Sequence, residues 1–86
     1  MHTLRELRVL HHLTQAELAR VLDVSEGTVA NIEKDSSNIK NQLLKKYERA
    51  FGVNADKIFL DNEYGISVFV KNKRAKVLQN LQKHQT

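Results

Sequence analysis

A short polar stretch, residues 25–31 with the sequence SEGTVAN, carries the side chains best suited to recognising a ligand. Apolar residues recur at Val29 and Ile32, and this helical spacing predicts a helix with its polar residues on the outer face. Asn31 stands out because its amide both donates and accepts, which lets it bond two atoms of adenine together. A short helix that is polar on its outer face can enter a DNA major groove. The chemistry indicated is therefore recognition of base edges.

Two helices joined by a tight turn are predicted to position this stretch. The first begins at Thr14, because Glu17 three residues later completes a capping box. Asp23 tolerates the left-handed conformation that ends such a helix. Ser25 then caps the second helix, which extends to Lys34.

With these positions the chain resembles the helix-turn-helix of Cro-like and lambda-repressor-like regulators, also called the xenobiotic-response-element family. The resemblance covers roughly residues 4–60 and rests on Thr14, Gln15, Glu17, Leu18, Ala19, Leu22, Val24, Ser25, Val29, Ile32, Glu33, Phe51, Gly52, Val53, Ile58 and Phe59. The chain departs from the family at Asp23, Asp35 and Ile39, where Gly, Gly and Pro are usual. The resemblance implies an all-α, five-helix domain over residues 1–60 that binds double-stranded DNA.

The resemblance also implies which residues meet DNA. Those of the second motif helix would lie against base edges or nearby phosphates, and they are Ser25, Glu26, Gly27, Thr28, Asn31 and Lys34. Gln15 begins the first motif helix, where backbone N–H groups and an amide can hold a phosphate. Lys40 is predicted at the start of the next helix, against the helix dipole, and a phosphate there would make that placement favourable.

An ion pair between Arg8 and Glu33 is also implied by the resemblance. Both residues flank the same predicted core, so the pair would hold the first helix of the domain against the recognition helix. The alternative is two solvated surface charges.

Three further helices complete the predicted domain. Thr3 caps the first, which extends through His12. Asn38 caps the fourth, which ends near Phe51, and Asn54 caps a short fifth helix.

Composition limits the other classes of protein. The 86 residues are 41% hydrophobic and include no cysteine, which indicates one small globular domain without disulfides. Residues 1–60 carry nine Lys/Arg and eight Asp/Glu, whereas residues 61–86 carry five and two. Attraction to phosphate therefore depends on placed residues or on the extension.

No apolar run reaches transmembrane length and the N-terminus does not resemble a signal peptide, so a cytoplasmic protein without membrane contact is expected.

Residues 61–86 are predicted to form an extension with a short β-strand over residues 65–71. Ile66, Val68 and Val70 alternate with other residues, and β-branched side chains favour strands. One strand has open edges, so these three residues are predicted to pair with a two-fold copy in a homodimer. Residues 74–83 predict either a weak helix or no fixed structure.

The function expected from these features is a dimeric repressor that binds a pseudo-palindromic operator. The alternative is an antitoxin-type or other protein-interaction module on the same scaffold, with a protein partner on the apolar extension. An enzyme is not expected, because the sequence has no phosphate loop and no nucleophile–base pair with recognisable spacing.

No cofactor, metal or small-molecule ligand is expected either. His11 and His12 are adjacent and point about 100° apart on a helix, so they cannot easily share an ion. No carboxylate lies at ligand spacing beside these two, and a surface or helix-end role is expected for them and for His2 and His84.

Overall fold

The computed structural model describes the backbone of residues 1–84 and the side chains of residues 1–81. Its five α-helices are α1 (Leu4–Leu10), α2 (Gln15–Leu22), α3 (Glu26–Lys34), α4 (Asn41–Phe51) and α5 (Glu63–His84), with a 3-10 turn at Ala55–Lys57. The predicted all-α class is confirmed. None of the described helices combines the length and the apolar character that crossing a membrane requires.

The first two helices begin where the capping boxes predict. The Glu6 N–H donates to Thr3 Oγ1 at 3.1 Å, and the Thr3 N–H donates to Glu6 Oε1 at 2.9 Å. Thr14 and Glu17 repeat the arrangement at the start of α2, with the same two distances. Asp23 ends α2 in the left-handed conformation, with φ at 56°. Local hydrogen bonds thus define both ends of the first motif helix.

The core is built from residues of α1, α2, α3 and α4 and from Ile58, with α2 packed against both α3 and α4. Its buried hydrophobic residues are Leu4, Leu7, Leu18, Ala19, Leu22, Val29, Tyr47 and Ile58. Burial of each large aliphatic side chain stabilises the fold by about 1.5–3 kcal/mol.

The predicted start of the fourth helix and the predicted extent of the fifth are wrong. Helix α4 begins at Asn41 with Lys40 as its N-cap, whereas Asn38 lies in a turn in which the Ile39 N–H donates to Ser36 O at 3.3 Å. The predicted fifth helix after Asn54 is only the 3-10 turn.

Backbone pairing with the N-terminal segment explains why that fifth helix stops. The His2 N–H donates to Lys57 O at 3.2 Å, and the Phe59 N–H donates to His2 O at 2.8 Å. These two bonds hold Ile58 extended, because the backbone groups on either side of it are directed at His2 and not along a helix.

The predicted strand over residues 65–71 is also wrong, because this segment is helical within α5. Asn62 Oδ1 accepts from the Gly65 N–H at 2.9 Å, so Asn62 caps the helix. A Cβ at position 65 would collide with the Asp61 carboxylate, which glycine avoids. Residues 63–65 are therefore the first turn of a helix, and residues 74–83 continue it.

The first half of α5 is attached to the rest of the fold by aromatic and charged contacts. The rings of Phe59 and Phe69 stack with centroids 4.1 Å apart. Lys73 Nζ lies 4.7 Å from the Phe69 ring centroid and donates to Glu6 Oε1 at 2.9 Å. Partial burial acts to raise the pKa of Glu6, but the Thr3 N–H and the Lys73 ammonium hold that pKa below its usual value. These contacts fix the direction in which α5 leaves the domain.

A buried serine joins the loop after α3 to the segment before α5. The Ser36 N–H donates to Asp61 O at 2.9 Å. Ser36 Oγ accepts from the Asp61 N–H at 3.0 Å and donates to Asp61 O at 3.2 Å. This junction fixes the path of residues 35–39, where the family usually has Gly and Pro.

Replacing Ser36 with Ala removes both side-chain hydrogen bonds and leaves the Asp61 N–H without its acceptor. The free energy of unfolding should fall by about 1–3 kcal/mol, measured by urea denaturation. Ser37→Ala is the matched control, because Ser37 is exposed and its hydroxyl bonds only Asp35. Equal losses in the two variants would contradict a structural role for this junction.

Candidate nucleic-acid interface

Helix α3 presents one polar face and buries the other. Val29 and Glu33 are its buried residues. Of the six contact residues predicted here, Thr28 is half-buried and the other five are exposed. The exposed residues are Ser25, Glu26, Gly27, Asn31 and Lys34. The structure therefore brings these six residues onto one helix, available to an outside ligand.

The hydroxyl groups at the start of α3 are engaged with the helix itself. Ser25 Oγ accepts from the Thr28 N–H at 3.1 Å, and the two hydroxyl oxygens lie 2.8 Å apart. A hydroxyl has one donor and two acceptor positions, so each group keeps capacity for a further bond. Ser25 and Thr28 thus cap the helix and remain able to contact DNA.

Gly27 is not required by packing within the chain. A Cβ built there would meet only Ser25 Oγ, at 3.9 Å, which is ordinary contact. Glycine lowers the stability of a helix by about 1 kcal/mol relative to alanine. The open space at this position suits close approach of a ligand to the α3 backbone.

A buried ion pair fixes α1 against α3. Arg8 Nε donates to Glu33 Oε2 at 2.6 Å, and Arg8 Nη2 donates to Glu33 Oε1 at 3.1 Å. The Arg8 side chain is 13% exposed and that of Glu33 is 4% exposed. The hydrogen bond to Glu33 raises the pKa of Arg8 above its usual value. The pair is bidentate, which fixes the orientation of both planar groups.

Gln15 joins the same carboxylate. Its Nε2 donates to Glu33 Oε1 at 3.2 Å, so the amide predicted to clamp a phosphate is partly engaged within the protein. Gln15 is the first residue of α2. Its second amide N–H and the backbone N–H groups of Gln15 and Ala16 remain for an anion, whereas the Glu17 N–H is bonded to Thr14 in the capping box.

Tyr47 lies close enough to this network to experience the charges of Glu33 and Arg8. Its ring is fully buried, and its hydroxyl has no hydrogen-bond partner among the described residues. Burial raises the pKa of Tyr47 well above its usual value, and the negative charge of Glu33 raises it further.

A groove of about 370 Å³ lies between α3 and the start of α4. It brings Thr28 close to Lys40, the two predicted contacts from different elements. Helix α4 has no side-chain cap and no acidic residue in its first turn, so its N-terminus is open to an anion.

Sequence reasoning missed three polar residues that line this groove: Asn38, Gln42 and Lys46. Gln42 and Lys46 lie four residues apart on α4, which places them on one helical face, and this spacing was the signal available in the sequence. Asn38 lies in the turn before the helix.

The histidines do not form a metal centre in the part of the chain that the structure describes. No group of three or more His, Cys, Asp or Glu side chains there could hold an ion. His11 Nδ1 lies 2.7 Å from Leu7 O, and the ring packs against Phe51 with centroids 4.8 Å apart. The side chain of His84 lies outside the described residues.

Comparisons with known proteins agree with this geometry. A protein-family model described as Helix-turn-helix matches residues 4–58, which run from α1 to just after the 3-10 turn. An uncharacterized HTH-type transcriptional regulator of Methanocaldococcus jannaschii is 40% identical over 57 residues, which cover 66% of this chain and 86% of the relative.

The Arg8–Glu33 pair can be measured with a double-mutant cycle. Removing either partner leaves a charge without its counterion, at roughly 3–5 kcal/mol in the fully buried limit. We expect Arg8→Ala and Glu33→Ala each to lower the free energy of unfolding by a large part of that amount, with strong coupling between them. A coupling energy near zero in urea denaturation would show that the two side chains act as independent surface charges.

Proposed function

Because this chain belongs to the helix-turn-helix family of transcriptional regulators, we propose that it binds a specific double-stranded DNA operator through α3. The observation that carries the proposal is the exposed polar face of α3 beside a groove lined by Lys40 and Lys46. A base-reading helix with cations at its border is the arrangement that combines direct readout with phosphate contacts.

Asn31 is the proposed base reader, because its amide can bond N6 and N7 of adenine together. Gly27 lets the backbone of α3 approach a thymine methyl group or a sugar. Glu26 either accepts from cytosine N4 or stabilises the positive end of the helix dipole. Ser25 and Lys34 lie at the two ends of the same helix and complete the proposed contact surface.

Phosphate contacts are proposed from both sides of α3. On one side, Thr28, Lys40 and Lys46 surround the groove at the start of α4. On the other, the first turn of α2 offers the Gln15 side chain and the backbone N–H groups of Gln15 and Ala16, which the capping box leaves available. Residues 1–60 carry a formal charge of only +1, from nine Lys/Arg and eight Asp/Glu, so placed contacts matter more than the overall charge of this region.

We further propose that the protein acts as a homodimeric repressor, with residues 1–60 as its DNA-binding domain and residues 61–86 as an extension. One short recognition helix reads only a few base pairs. Two copies related by a two-fold axis would place their α3 helices about 34 Å apart, one turn of DNA, on a pseudo-palindromic operator. Occupation of a promoter would then block transcription.

A protein-interaction module is the second candidate function. The exposed apolar side chains at the free end of α5 favour it, because such residues commonly mark contact surfaces. An antitoxin-type protein would combine this role with DNA binding.

Selection of duplexes from a random pool tests the proposed function. We expect one sequence to be enriched, and its affinity should fall steeply with salt, with a log–log slope of about 0.9 for each phosphate neutralised. If no duplex is enriched above background at low salt, the operator proposal fails. Salt-independent binding to a protein partner would instead favour the interaction module.

Asn31→Ala should weaken binding to the selected operator by about 1–3 kcal/mol and relax the preference at one base step. Thermal stability should barely change, because the side chain is exposed. Asn72→Ala is the matched control, since Asn72 is an exposed helical asparagine on α5. An equal loss of affinity for every duplex would indicate a phosphate contact at Asn31 and not base readout.

A further inference from the structure

The second half of α5 carries apolar side chains that the domain does not cover. All residues from 74 to 81 are exposed, and Val77 and Leu81 are 60% and 54% exposed. The region matched by the family model ends at residue 58, so α5 lies outside it. A helical segment this short has little stability of its own in water. A covering partner would both bury these side chains and stabilise the helix.

An apolar groove lies where α5 meets α1. Its volume is about 460 Å³, and its apolar lining residues are Val9, Leu10, Ile66 and Val70. Val9 and Leu10 are 51% and 56% exposed, although both belong to a helix whose opposite face is in the core. The groove therefore adds an uncovered apolar surface to that of the free end.

Four of the apolar residues of α5 have a spacing that is the same in both directions along the chain. Ile66, Val70, Val77 and Leu81 are separated by intervals of four, seven and four residues. At about 100° per residue these four side chains share one helical face. A two-fold contact requires a surface that is complementary to itself, and an antiparallel pair of such helices meets this requirement.

We propose that the groove between α1 and α5 is the dimer interface and that its occupant is the free end of α5 from a second copy. The two α5 helices run antiparallel, with Val77 of each copy against Val70 of the other and Leu81 against Ile66. This proposal rests on the homodimer proposed above and names its contact surface. The residues predicted as strand contacts are thereby reassigned: Ile66 and Val70 lie in the interface, and Val68 lies on another face of the helix.

The size of this surface fits a specific interface. The stripe from Ile66 to Leu81 spans about 22 Å of helix. Six large apolar residues are each 42–60% exposed, and their exposed area in each copy equals that of about three fully exposed residues. They are Val9, Leu10, Val70, Val77, Leu78 and Leu81. With the polar residues at its border, two such surfaces reach the class of roughly 1,000 Å² that specific interfaces require.

The charges on α5 predict an unusual dependence on salt. Residues 64–86 include five Lys/Arg and no Asp/Glu. Lys73 is offset by Glu6, whereas Arg74 and Lys76 form no ion pair among the described residues. An antiparallel pair brings these like charges together near its centre. Salt screens that repulsion, so dimerisation should strengthen with salt while DNA binding weakens.

Sedimentation equilibrium of the full chain without DNA tests the interface at 0.05 M and 0.5 M salt, on the order of the range over which screening changes strongly. We expect a dimer whose dissociation constant falls as salt rises. The double variant Val77→Asn with Leu81→Asn should raise that constant at least about tenfold, the effect of losing roughly 1.4 kcal/mol. Val21→Asn is the matched control, because Val21 is an exposed apolar residue on α2.

Arg74→Gln provides a second, independent variant. Removal of one repelling charge per copy should tighten the dimer at low salt, whereas Lys45→Gln on α4 should leave it unchanged. A monomer under all conditions overturns the proposal, as do a dimer that weakens with salt and a double variant that still dimerises normally.

Binding of other partners is distinguished in the same experiments. A synthetic 21-residue Leu/Glu helix that binds a monomeric chain, and that loses affinity in the double variant, would make the occupant a different protein and overturn the proposal. The affinity of the double variant for a duplex with a single half-site tests the proposed operator contacts separately from the proposed dimer interface. We expect it to equal that of the starting protein, since the proposed operator contacts do not involve α5.

Discussion

The orientation of the recognition helix depends on the buried carboxylate of Glu33. Arg8 on α1 and Gln15 on α2 both donate to it, so one side chain of α3 joins three helices. Taking a carboxylate and a guanidinium out of water is unfavourable, and the bidentate geometry with an added amide bond offsets that cost. Arg8 also donates to Leu13 O at 2.9 Å, which fixes the corner before α2. A small chain without cysteine relies on such directed contacts to supplement a modest core.

Much of the helix-turn-helix could be predicted because its signals are local. Thr14 with Glu17, the left-handed Asp23 and the cap at Ser25 each act within a few residues, and the structure shows all of them. The outward position of Asn31 follows from the same helical spacing. The groove beside α3 could not be found in this way, because it depends on where α4 begins. Lys46 lines it together with residues of α3, and the tertiary fold brings these two helices together.

The extension was predicted wrongly because long-range contacts decide its structure. Ile66, Val68 and Val70 favour a strand by residue type, yet the cap at Asn62 and the stacking of Phe69 on Phe59 hold the segment helical. Tertiary packing commonly overrides such preferences. The same lesson applies after α4, where pairing with His2 holds Ile58 extended.

Helix α1 has a mechanical consequence for any assembly of this protein. Glu6 and Arg8 lie two residues apart on it, and one contacts α5 while the other contacts α3. The helix has seven residues, a rod about 10 Å long with little freedom to bend. Rotation of α5 relative to the domain would therefore be transmitted through this rod to the recognition helix. In a dimer joined through α5, the distance between the two α3 helices would therefore vary little. The protein would then tolerate few changes in the number of base pairs between half-sites.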